Sequence, residues 1–356
     1  MKLGLGLYRW MLTQDNFRFA RQAGATHIVA HLTDYFASSD SLSTGSGNDV
    51  WGVTRNYGKY WTYEELRELV AAVEAEGLKL EALENFDPAF WSDILLDGPR
   101  KDEQIEGIQG LIRNMGRAGI PIMGYYFSLA GVWGRTNRLR TRGDAVAVGY
   151  VQEYIESEPP IPNGTVWNMV YDPDAPPGTL GTVTREEMLA RRKAFLDAVL
   201  PVAEEAGVRL AAHPDDPPLP TLRGTARLIT QFAEYQELLD SFPSPANALE
   251  FCVGTLSEMT EGNIYDCVEQ FSRQQKIGYV HLRNVVGKVP NYHEVFVDEG
   301  DTDMYRVLEI MHRNGFDGVL IPDHTPQMTC DAPWHAGMAY ALGWMRATLS
   351  AIERKG

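Results

Sequence analysis

The chain has 356 residues, is 44% hydrophobic and 22% charged, and carries a formal net charge of -16. That length and apolar content allow one large core and argue against disorder, while the acidic field repels phosphate backbones and excludes a general nucleic-acid binder. Three cysteines without a CxxC pair argue against a disulfide scaffold.

The opening MKLGLGLYRW has no long apolar h-region, and no run approaches the roughly 18 apolar residues of a membrane span. The expectation is a cytoplasmic protein without a membrane partner.

Along the chain, short apolar runs alternate with longer amphipathic stretches. Strands are predicted over 3–8, 25–30, 78–83, 120–126, 208–212, 247–251, 278–282 and 318–321. Helices are predicted near 14–23, 62–76, 103–118, 184–206, 222–240, 262–276, 301–314 and 335–352, where apolar residues recur at three-to-four spacing. Gly24, Gly77, Gly119, Gly207 and Gly315 stand just before the next strand, where a left-handed cap closes a helix. Thr62 with Glu65, and Thr184 with Glu187, have capping-box spacing.

Eight strand–helix units are the count of a closed (β/α)8 TIM barrel, an α/β fold without exposed sheet edges. An open doubly wound sheet is the competitor, but LGLGLY lacks the third glycine of a dinucleotide fingerprint, and no organic cofactor is expected. The whole of 1–356 reads as one barrel domain, with long loops at about 31–61 and 127–183. Loops of that length serve as lids, binding loops or oligomer contacts.

Four metal-capable side chains sit at or near the ends of four successive strands: His213 opening HPDDPP, Cys252 ending LEFC, His281 in YVHLRN and Asp323 in VLIPDH. The intervals of 39, 29 and 42 residues are about one β/α unit each, so the four can converge on one barrel rim. Imidazole, thiolate and carboxylate together suit Zn, Fe(II) or Mn(II), and spacing does not choose among them. Singly, each has a plainer reading: a hydrogen-bonded core histidine, a small buried thiol, a paired acid. The conjunction favours a metal.

Strand alternation places His281 and Arg283 on one face, which makes Arg283 the first candidate for a bidentate carboxylate clamp. Arg9, beside Trp10, and Arg135, in VWGRTN, come second, and each reads equally as an ordinary ion pair. His324, next to Asp323, is a candidate general acid/base or a loop-holding residue. Asp215 and Asp216 orient a ligand or stiffen the turn. His27, His31 and His312 have weaker claims.

HPDDPP at 213–218, Phe251-Cys252 followed by Gly254, HLRN at 281–284, DH at 323–324, WGRT at 133–136 and the Arg9-Trp10 patch span almost the full chain. In this ordered combination the sequence resembles the mannonate dehydratase (UxuA-like) family. The resemblance implies a xylose-isomerase-like barrel that forms homodimers or larger assemblies and holds a divalent ion, usually Mn(II) with Fe(II) as the alternative. The matching ligand positions are His213, Cys252, His281 and Asp323. It further implies dehydration of D-mannonate to 2-dehydro-3-deoxy-D-gluconate, with His324 transferring a proton and Arg9, Trp10, Arg135, Arg283, Asn284 and Tyr340 meeting the acid sugar.

Three departures mark a divergent member. His335 falls where the family carries a catalytic tyrosine, with Tyr340 nearby, so His335 joins His324 and Arg283 as a catalytic candidate. Glu294 is kept while Val297 takes an expected histidine position, and DHTPQM replaces a DHG form. The alternatives are a metal-dependent sugar isomerase or epimerase on the same barrel, and a non-catalytic sugar-acid-binding protein.

Overall fold

The computed structural model describes residues 1–33, 52–53 and 59–354. Eight strands close on themselves: β1 (Lys2–Tyr8), β2 (His27–His31), β3 (Lys79–Glu84), β4 (Ile122–Tyr125), β5 (Arg209–Ala212), β6 (Asn247–Cys252), β7 (Ile277–His281) and β8 (Val319–Ile321). Every neighbouring pair is parallel, and β1 completes the ring by pairing with both β8 and β2. The predicted strands are all present, with ends displaced by at most two residues.

The barrel interior is filled by Val29, Ala82, Ile122, Ala211, Ala248, Tyr279, Val319 and Ile321. β1 contributes no side chain at this level, because a Cβ on Gly4 would fall 2.5 Å from Val319 Cγ1. Strand residues alternate between faces, so inward positions recur every second residue. Carrying that parity on from the plug toward the C-terminal ends reaches His31, Glu84, His213, Glu250, Cys252, His281 and Asp323. One periodicity thus sets an apolar floor and, directly above it, a ring of polar chemistry.

Outside the barrel both predicted capping boxes form, Thr62 with Glu65 and Thr184 with Glu187, and Gly119 and Gly207 take the left-handed cap. The helix expected over 222–240 is shorter, spanning Phe232–Ser241. Arg223 and Gly224 both adopt positive φ and turn a small hairpin, Thr221–Leu222 against Thr225–Ala226, which a helix cannot accommodate. Among the described residues two α-helices were not predicted from the sequence: Pro88–Leu96, capped by Asp87, and Val253–Glu258, capped by Cys252.

Most of the expected 31–61 loop lies outside the described residues. The 127–183 segment is ordered rather than a plain loop. Its strands Thr136–Thr141 and Ala145–Val151 join an unpredicted hairpin, Asn284–Lys288 with Asn291–Val295, in a four-stranded antiparallel sheet. The sheet ties the segment after β4 to the segment after β7 and delivers Glu294 to the barrel mouth. No helix among the described residues is long and apolar enough to cross a membrane.

Candidate functional site

The C-terminal mouth of the barrel opens on a cavity lined by Tyr8, His31, Glu84, Tyr126, Arg135, Trp167, His213, Asp216, His281, Asp323 and His324, among others. At its base, His213, Cys252 and His281 each present a donor atom within 4.8 Å of the other two. His213 follows β5 directly; its backbone N–H donates to Tyr125 and its Nδ1 lies 2.6 Å from the Pro214 carbonyl. Cys252 and His281 are the last residues of adjacent strands, paired in register. Asp323 follows β8 by two residues and holds a left-handed backbone, φ 64°, a strained choice for a non-glycine residue and one met at functional sites. Its carboxylate lies 3.5 Å from His281 Nδ1 and 3.2 Å from Arg283 Nε.

The electrostatics suit a cation. Burial alone would raise the Cys252 thiol, but Arg283 beside it and the rings of His213 and His281 hold it well below the usual thiol range. The same contacts act in reverse on the rings. His213 is pushed up to about 9 by its hydrogen bond to Cys252 against the opposing effect of burial, and His281 is raised by Asp323 and Glu84. Cys252 is already disposed to be a thiolate, and a metal, which binds only deprotonated ligands, would displace protons from the two rings. Residues and donor chemistry therefore fit a divalent ion at His213, Cys252 and His281, with Asp323 alongside.

Arg283 is almost fully buried and its fork is already engaged. It reaches Asp216 Oδ2 and Glu294 Oε1 at 2.8 Å, Glu258 Oε1 at 3.1 Å, Thr255 Oγ1 at 2.9 Å and Asp323 at 3.2 Å. Gly254 permits this, since a Cβ there would sit 2.6 Å from Arg283 Nε. Arg135 is also buried, pairs with Glu294 and lies 3.4 Å from His324 Nδ1. His324 Nδ1 is 3.0 Å from Glu294 Oε1, and its Nε2 is 3.4 Å from Asp323 Oδ1. Burial brings the His324 imidazole down to about 4, despite the opposing pull of Asp323, so the ring is neutral near neutrality.

The other expected site residues lie elsewhere. His335, in the helix Pro333–Glu353, meets Asn16 Oδ1 at 2.9 Å and packs edge-on to Phe19 and Trp334. Tyr340, in the same helix, accepts from Arg142 at 3.3 Å and packs against Phe296. Asn284 donates to the Thr302 and Val297 carbonyls, holding the loop that follows the hairpin strand Asn291–Val295. Arg9 donates to the Leu32 carbonyl and Trp10 is 41% exposed. None of these five lines the cavity. Asp215 stiffens the HPDDPP turn, accepting from Leu228 and Ile229 and pairing with Arg227, whereas Asp216 joins the Arg283 network.

Three buried acids near the site, Glu84, Glu250 and Glu258, were not singled out from the sequence, and His31, given a weaker claim there, lines the cavity. Glu84 and Glu250 reach the Nε2 side of His281 at 3.2 and 3.3 Å. The signal was available: both acids and His31 fall on the inward parity of their strands.

The closed eight-stranded parallel barrel has the fold of xylose-isomerase-like TIM barrels. A xylose isomerase domain protein from Planctomyces limnophilus matches with a TM-score of 0.56 over 99% of each chain at 11% identity. Within that class the chain belongs to the D-mannonate dehydratase (UxuA) family, whose model matches residues 6–348. The mannonate dehydratase of Thermotoga maritima is 31% identical over 287 residues, 75% of this chain and 78% of the relative. That of Lactococcus lactis subsp. cremoris is 29% identical over 75% of this chain and 79% of its own. The crystal structure of mannonate dehydratase from Streptococcus suis serotype 2 superposes with a TM-score of 0.78 at 24% identity, over 100% of this chain and 94% of that one. The family is one of hydro-lyases.

Proposed function

We propose that this protein removes water from D-mannonate or a closely related aldonate, giving 2-dehydro-3-deoxy-D-gluconate or its counterpart. The divalent ion it uses is held by His213, Cys252, His281 and Asp323. The observation that carries this reading is the convergence of donor atoms from His213, Cys252 and His281 at the barrel mouth, with His324 beside Asp323 in the same cavity. Membership of the dehydratase family supports the choice of substrate and reaction. Mn(II) is the first ion to test and Fe(II) the second, both compatible with mixed N, S and O donors.

When bound, the ion supplies Lewis acidity toward an aldonate's carboxylate and C2 hydroxyl, which acidifies the C2 proton. His324 is the proton-transfer residue. Its Nδ1 is fixed by Glu294, its ring is uncharged and able to accept, and it lines the cavity beside Asp323. Transfer of the C2 proton to His324 and departure of the C3 hydroxyl, which takes up a proton and leaves as water, give an enol that tautomerises to the 2-keto-3-deoxy acid. Arg135 brings positive charge to the cavity wall for an anionic substrate. Arg283, engaged by Asp216, Glu258, Glu294 and Asp323, positions these groups instead of clamping the sugar acid. His335 and Tyr340 receive no role in the chemistry.

The test is a panel of hexonates offered to metal-loaded protein, with the 2-keto-3-deoxy acid measured directly. Turnover of a neutral ketose with no turnover of any aldonate would sink the assignment.

A further inference from the structure

Beneath the metal donors lies a second buried group, Glu84, Glu250 and Tyr279, which the reaction outlined above does not use. Glu84 ends β3 and is 5% exposed; Glu250 lies in β6 and is 1% exposed. His281 stands between this group and the mouth. Its Nε2 points down, 3.2 Å from Glu84 Oε2 in hydrogen-bonding geometry, and its Nδ1 faces Asp323 at 3.5 Å. Tyr279, two residues earlier on the same strand, donates to the same Glu84 oxygen at 3.1 Å. The other Glu84 oxygen lies 3.7 Å from Nδ1 of His31, which also lines the cavity. Glu250 comes within 3.3 Å of His281 Nε2 without meeting hydrogen-bond geometry.

The geometry points to Glu84 as a positioning residue for the metal centre, a carboxylate that accepts a hydrogen bond from His281 Nε2–H, keeps the proton on that nitrogen and so leaves the Nδ1 lone pair directed at the Asp323 side. This rests on the metal reading above. An imidazole ligand offers one nitrogen, and a hydrogen bond from the other fixes both the tautomer and the ring plane. Glu84 can do this rigidly. Its carboxylate is buried and anchored by the Tyr279 hydroxyl, and the barrel closes around it, so the ring cannot rotate without losing a charge-assisted hydrogen bond in a water-poor interior. Its reach to His31 makes the same carboxylate a link between a metal ligand and the wall of the substrate cavity.

The test needs no substrate. Co(II) added to the metal-free protein reports a thiolate ligand through a near-ultraviolet sulfur-to-metal band, and competition with a chelator gives its affinity. The wild type is expected to show the band, and C252S to lack it. E84A is expected to bind Co(II) about 10–100-fold more weakly, the effect typical of losing such a partner, with a changed visible Co(II) spectrum. E84Q, which keeps an acceptor but not the charge, is expected to fall between the two, and carries the test if E84A does not fold. Wild-type affinity and spectrum in E84Q and in any folded E84A would overturn the inference. Absence of the thiolate band in the wild type would instead overturn the metal reading, so the two failures are distinguishable.

Discussion

Glu294 Oε1 lies 3.0 Å from His324 Nδ1 and takes an N–H from Arg283 at 2.8 Å, so one buried carboxylate oxygen couples the proposed proton-transfer histidine to the arginine network. The carboxylate arrives on the strand Asn291–Val295, whose hairpin packs on the segment that follows β4. Through this bond Glu294 fixes the imidazole with Nδ1–H toward itself and Nε2 left to act.

Replacing His324 by asparagine is expected to lower kcat by about 10²–10⁴-fold, the usual contribution of a positioned acid/base, with Co(II) binding retained. E294Q is expected to lower kcat by a smaller factor while KM changes little, because it disturbs the orientation of His324 and not the substrate contacts. Steady-state kinetics with the best aldonate reads both. An E294Q enzyme with unchanged kcat would remove Glu294 from the account.

Arg283 balances four acids in the interior. R283M is expected to cost about 3–5 kcal/mol of stability, because it leaves buried carboxylates without their cation. Urea unfolding measures this. A stable R283M whose only defect is a raised KM for acid sugars would restore the clamp role expected from the sequence.

His335 should be dispensable for chemistry. H335F removes the hydrogen bond to Asn16, at an expected cost of about 1 kcal/mol, and leaves kcat within about twofold. A loss of kcat comparable to that of the His324 variant would return His335 to the catalytic machinery.

His27, at the N-terminal end of β2, gives a pH prediction independent of the active site. Burial, aided by Lys2 and Lys79, lowers its pKa to about 4. The unfolded chain therefore takes up this proton at higher pH than the folded chain does. The stability gained from keeping the ring neutral is complete above about pH 6.5 and is lost as the pH falls toward about 4. Thermal melts at pH 7 and pH 5 should show H27Q losing less stability than the wild type, by roughly 1–2 kcal/mol once partial solvent screening is allowed for. Equal losses in the two proteins would refute it.

Much of the fold was legible because the chain repeats one physical unit. Apolar runs long enough for a buried strand, glycines at left-handed caps and two capping boxes place eight β/α units without reference to any contact. The proposed metal donors could be picked out for the same reason: His213, Cys252, His281 and Asp323 sit where a strand gives way to a loop. The local exceptions were not legible. The hairpin at Arg223-Gly224 interrupts an apolar periodicity that otherwise reads as helix, and the sheet carrying Glu294 is assembled from segments more than a hundred residues apart. Arg283 was placed on the right face, but its partners come from four separate segments of chain, and nothing local announces that they consume its donors. Glu84 was readable and was missed, since an acid two residues beyond the plug residue Ala82 must face the barrel interior.

The most direct test of the central claim is to strip the protein of metal with a chelator, add D-mannonate, and then restore Mn(II) or Fe(II) while 2-keto-3-deoxy acid is measured. The account predicts no product from the stripped protein, product on restoring the ion, and none from a C252S variant treated in the same way. Full turnover in the stripped protein, or no product with either ion, would contradict it.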